Sequence, residues 1–134
     1  MTRLLRVALW IGAVVDGVVA VLALFFQPLL GPLLDVPVKD PALTTIAGGE
    51  YVVLTGLYVF LVRDVARYRP LLWLVALDQL FGGAIPALEV ARGHVVASWK
   101  TLGPIPFNVA LAAIYVAGAL AKRPKEARSP APQR

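Results

Sequence analysis

Apolar residues along this chain gather into four long runs, separated by short clusters of proline, glycine and charge. The first runs from about Leu4 to Phe26, the second from about Thr44 to Val62. The third runs from about Leu71 to Ala91 and the fourth from about Pro104 to Ala121. Each approaches the ~20 residues with which a helix crosses a hydrocarbon core of ~30 Å. The pattern predicts an all-α fold: an integral membrane four-helix transmembrane bundle in residues 1–121, then a basic tail over 122–134. Pro104 and Pro106 suit a first helical turn, where an amide hydrogen is not needed. Pro86 falls inside the third run and is expected to kink it. The first run has the basic start of a signal peptide, but it is longer than a typical signal core and no Ala-x-Ala site follows. It is therefore read as a retained helix.

The connections differ in kind. The segment from Arg63 to Pro70 is short and makes an antiparallel hairpin of the second and third helices. The stretch "QPLLGPLLDVPVKDPAL" is apolar yet holds four prolines and a glycine, so it is expected as broken helix or extended chain along the membrane interface. "RGHVVASWKTLG" reads as a short interfacial turn. The tail reads as disordered, with affinity for anionic headgroups.

Basic residues then set the orientation. Arg3, Arg6, Arg63, Arg67, Arg69, Lys122, Arg123, Lys125, Arg128 and Arg134 fall on one side of such a bundle. Only Lys39, Arg92 and Lys100 fall on the other. By the positive-inside rule both termini of such a multi-pass protein face the cytoplasm. Trp10, Trp73 and Trp99 sit where aromatic side chains anchor at interfaces.

Composition sharpens this picture. Apolar residues make up 59% of the 134 residues and charged ones 16%, too little polar surface for a soluble domain of this size. The net charge of +5 punctuates apolar runs and forms no basic stripe with interleaved aromatics, so nucleic acid is not expected as a partner. There is no cysteine and one histidine, which removes disulfides and thiolate chemistry; no metal site and no cofactor is expected. Phosphate-binding loops, HExxH and nucleophile elbows are absent from the sequence.

What remains is a set of polar residues inside the apolar runs. A carboxylate at the bilayer centre costs ~2.5–3.5 kcal/mol on insertion scales and usually faces the bundle interior. At ~1.5 Å per residue, Asp16 and Asp78 fall near mid-depth. Glu50, Glu89 and Asn108 fall nearer the end opposite the termini. Asp78, Gly82, Ile85 and Glu89 share one helical face. Asp16 shares its face with Gly12, Ala13, Ala20 and Ala23, and Asn108 with Ala112, Tyr115 and Ala119. Small residues on such faces let helices approach closely, so these groups are expected to point inward together. With no lysine or arginine at that depth, at least one acid is expected to stay neutral near neutral pH, the arrangement used in acid–base chemistry. Each residue also has a plainer role. Asp16 and Asp78-Gln79 would bond across helices, Glu50 and Glu89 would be wet interfacial acids, and His94 a loop residue. The paired glycines would be packing devices, and Tyr51 and Tyr58 packing or belt residues.

The stretch "AGGEYVVLTGLYVFLVRDVARYRPLLWLV", with "LEVARG" after it, resembles small bacterial four-helix membrane proteins of the BphX-like and DoxX-like type. It combines a Gly-Gly start, a basic hairpin and an apolar third helix. That resemblance implies a four-helix inner-membrane protein and carries over no catalytic residues. A fainter likeness is to EXPERA-type sterol isomerases, which also place acids inside a small helical bundle. The function expected is an intramembrane pocket for a small apolar or lipid-like molecule. Asp78, Glu89, Asp16 and Glu50 would be its acids, and Asn108, His94, Tyr115 and Gly82 its supporting contacts. Acid–base isomerisation, cyclisation or epoxide opening is the chemistry such a pocket would support, with Asp78 as proton donor. The alternatives are a non-enzymatic accessory subunit of a membrane complex and a proton-coupled small transporter. Expected partners are membrane lipids, a small hydrophobic substrate, and either a further copy of the chain or a membrane protein.

Overall fold

A computed structural model describes residues 2–35 and 38–121; the basic tail, 122–134, lies outside them. The described chain is helical throughout its regular parts: α1 (Thr2–Phe25), α2 (Gln27–Leu34), α3 (Pro41–Arg63), α4 (Leu72–Ala91), α5 (Trp99–Leu102) and α6 (Pro104–Leu120). A 3-10 turn, Arg69–Leu71, leads into α4, and α5 leads into α6 through a helical Gly103. Four stretches of 22–23 residues are long and apolar enough to cross a membrane. Twenty-three residues reach roughly 34 Å, slightly more than the ~30 Å core.

Local chemistry accounts for the boundaries. The first break comes at Phe26, whose backbone leaves the helical region. The helix resumes as α2, with Pro28 in its first turn and Pro32 inside, so the first eight residues of the proline-rich connection take the broken-helix form of the two expected. α3 begins three residues earlier than its apolar run. Asp40 caps it, with Oδ1 accepting from the amides of Ala42 (2.8 Å) and Leu43 (3.2 Å), and Pro41 fills the first position. Gln27 ties α2 to this start by donating to Thr45 Oγ1 at 2.9 Å. α4 stays helical through Pro86. At the far end of the fourth span, Arg69 Nε donates to the carbonyls of Gly118 (2.9 Å) and Ala119 (3.1 Å), which satisfies the end of α6.

The helices pack as two antiparallel hairpins, α1 with α3 and α4 with α6. α1 also packs on α6, whereas α3 and α4 touch only sparsely. Small residues set the closest approaches: a methyl added at Gly48 would lie 3.0 Å from Ala23 Cβ, and one at Gly118 would lie 2.8 Å from Leu5 Cδ2. Such close packing is what holds helices together where lipid is as apolar as the side chains. The core contains Leu5, Ala8, Leu9 and Ala13 of α1, Tyr58 and Leu61 of α3, and Leu72, Val75 and Ala76 of α4. Leu111 and Tyr115 of α6 complete it. All of these lie toward the end that carries the termini. The opposite half, capped by α2 and α5, is where the bundle opens.

Candidate functional site

That opening is a cavity of about 460 Å³. Asp16 lines it from α1 with Gly12, Val15 and Val19, and Tyr51 from α3. Asp78, Gln79, Gly82, Ile85, Pro86 and Glu89 line it from α4, and Phe107, Asn108 and Leu111 from α6. Leu34 of α2 and Lys100 with Thr101 of α5 close the far end. Val15, Ile85 and Phe107 keep about half of their surface exposed, so the cavity is not sealed from its surroundings.

The deep polar groups come from three helices. Asp16 is only 5% exposed, and its Oδ2 is buried with no hydrogen-bond partner among the described residues. The helix puts it there by phase: Gly12, Ala13, Ala20 and Ala23 share its face and are buried against neighbouring helices. Asp78 is held differently. Tyr58 Oη donates to its Oδ2 at 3.2 Å, and Gln79 Nε2 donates to Tyr58 Oη at 2.7 Å and to Asp78 Oδ2 at 3.3 Å. This chain of bonds joins α4 to α3 at the level where the packed core ends. Tyr58 in turn stacks at a tilt on Tyr115, with ring centroids 5.9 Å apart. An unpartnered buried carboxyl costs free energy that a paired one partly recovers, so Asp16 is the less satisfied of the two acids.

Gly82 and Asn108 meet across the α4–α6 interface. A methyl on Gly82 would stand 3.0 Å from Asn108 Nδ2, so the glycine is what lets the amide lie against α4 beside the cavity. At the far end, Ser98 Oγ donates to Asp35 Oδ2 (2.7 Å). Lys100 Nζ donates to the Pro32 carbonyl (2.7 Å) and lies 3.4 Å from Asp35 Oδ1. The Ser98 hydroxyl, with the Lys100 ammonium behind it, holds the Asp35 carboxyl below the usual carboxylate range. The α5 turn is itself fixed by a capping box between Ser98 and Thr101.

Three expected site residues lie elsewhere. Glu50 is exposed on the outer surface of α3. Gly48, two residues before it, faces α1, and two helical steps turn a side chain by ~200°. His94 stands beyond α4, exposed, with Nδ1 2.9 Å from Glu89 Oε2, and Arg92 Nη1 reaches Glu89 Oε1 at 3.3 Å. Tyr115 is fully buried in the core, and its hydroxyl donates to the Ala8 carbonyl at 2.7 Å. Four residues not singled out for the site lie on the cavity or hold its acids: Tyr51, Tyr58, Gln79 and Lys100. Gln79 beside Asp78 carried some signal as an inter-helix bond. Lys100 gave none, because helix phase does not reach across the α5 turn. Among the described residues, no group of three or more metal-binding side chains comes together. Compared with protein-family models, with curated proteins and with solved structures, the chain matches none of them.

Proposed function

We propose that this chain is a multi-pass protein of the bacterial cytoplasmic membrane, with both termini in the cytoplasm. Its cavity takes a small, largely apolar or lipid-like molecule. The observation that carries this reading is Asp16, a buried carboxyl with an unpartnered oxygen on the wall of a cavity of about 460 Å³. A polar group left so in an apolar bundle is costly unless something completes it. Asp78, fixed by Tyr58 and Gln79, supplies the second polar contact, and Val15, Val19, Ile85, Phe107 and Leu111 supply an apolar wall. Concave, mostly apolar sites with a few convergent polar groups are the usual form of small-molecule pockets. Acid–base chemistry on that molecule would use the same pair, with Asp16 meeting the ligand and Asp78 held in place by α3. The test is native mass spectrometry of the protein released gently from membranes. A small apolar adduct is expected on the wild-type chain and is expected to be lost from Val19→Phe, which fills the cavity. An adduct retained by folded Val19→Phe would overturn the reading.

A second reading has its own observation. Glu50 lies exposed on a spanning helix, and Gly49 and Gly56 of that helix have nothing within 4 Å of an added methyl. An uncovered carboxylate and open glycines favour a further membrane helix against α3, from a second copy or an accessory partner. Mass measurement of the detergent-extracted complex decides it: a mass of one chain alone in mild detergent counts against a partner on this face.

A further inference from the structure

We infer that the molecule this cavity selects is a hydrophobic amine, an apolar body carrying one protonated nitrogen that Asp16 and Asp78 receive together. The inference rests on the pocket reading above and goes further by naming the charge of the ligand's head.

Tyr51 and Asn108 add neutral donors to the wall, and its other donors are committed. Gln79 Nε2 is spent on Tyr58 and Asp78, and the one hydroxyl hydrogen of Thr101 is taken up by the carbonyls of Val96 and Ser98, each 3.0 Å from Oγ1. Lys100 is the cation on the cavity wall, and its Nζ is turned onto Pro32 and Asp35 of α2. Arg92 and His94 are drawn to Glu89 from outside the cavity. The acids, by contrast, have capacity left. Asp16 Oδ2 has no partner, and both hydrogen bonds to Asp78 fall on Oδ2, so Oδ1 takes none from the described residues. Oxygen acceptors with no nearby cation, set in an apolar wall, are completed by a donor that also brings positive charge. A fatty acid would set another carboxyl group against Asp16 and Asp78 and supply no cation. An alcohol would donate one hydrogen bond and bring no positive charge.

The experiment uses the full chain in nanodiscs of zwitterionic phosphatidylcholine, with empty nanodiscs as background. Radiolabelled dodecylamine, dodecan-1-ol and dodecanoate are the probes. Dodecylamine is expected to saturate at one molecule per chain and to bind at least about tenfold tighter than dodecan-1-ol. Asp16→Asn is expected to weaken dodecylamine by at least about tenfold, while Asp64→Asn, which removes an acid at the turn after α3, leaves it unchanged. Asp78→Asn makes the same test should Asp16→Asn fail to fold. Saturable dodecan-1-ol or dodecanoate binding, as tight as the amine and abolished by Val19→Phe, would overturn the amine assignment and keep the pocket. Saturable binding of none of the three, or binding that folded Val19→Phe leaves intact, would overturn the pocket reading itself.

Discussion

At the scale of single residues, the two glycines Gly12 and Gly56 separate packing from space. A methyl on Gly12 would lie 2.7 Å from Tyr58 Cε1 and 3.1 Å from Tyr115 Oη, against two rings with no exposed surface. Gly12→Ala is therefore expected to destabilise the bundle by about 1–3 kcal/mol in a denaturant titration in detergent. Gly56→Ala, in open space, is expected to be neutral or stabilising by up to about 1 kcal/mol in the same assay, unless a partner helix covers it. The two buried tyrosines differ in the same spirit. Tyr115→Phe loses one bond to a backbone carbonyl, about 0.5–1.5 kcal/mol. Tyr58→Phe is expected to cost more, because it strips a donor from Asp78 and the shorter acceptor from Gln79. Asp16, Asp78, Gly82, Glu89 and Asn108 were legible as wall residues, since helix phase alone groups them on inward faces. Glu50 and Tyr115 were not, because phase says which residues share a face and leaves open which neighbour that face meets. Tyr115 shares Asn108's face but lies two turns deeper, inside the packed core.

At the scale of elements, the four spans follow from run length, and their ends from caps. Asp40 draws α3 back past its apolar run, and α2 is the short helical piece of the broken path that the prolines predicted. The α2–α5 contact was invisible beforehand, because it joins residues 63 positions apart through a serine and an aspartate with no motif. It has a pH dependence with a definite sign. Asp35 is held below its ordinary value of 3.8, so its contribution is full above that pH and is lost as pH falls below it through the folded-state value. Hydrogen exchange of the α5 amides is expected to quicken below that pH at low salt. Ser98→Ala, which removes the larger cause, is expected to quicken it already at neutral pH. An α5 whose exchange ignores both changes would show that the contact holds nothing in place.

At the scale of the whole molecule, the absence of cysteine makes orientation directly measurable. Arg67→Cys lies at the turn between α3 and α4, and Val96→Cys, 76% exposed in the native residue, lies between α4 and α5. An impermeant maleimide added to intact cells is expected to label Val96→Cys and to spare Arg67→Cys until the membrane is opened; the reverse pattern would invert the topology. The pairing of the helices has a consequence for how the chain is made. Each hairpin joins two long helices that follow one another with only a short helix between them, so α1 and α3 can dock while the later half is still being synthesised. The Tyr58–Gln79–Asp78 bonds form when the second hairpin arrives, and the Tyr115–Ala8 bond, spanning 107 positions, must wait for the last helix. Assembly thus ends by stapling the first helix to the last at the terminal end, and a chain cut short before α6 would lack the brace that keeps its two halves from drifting apart.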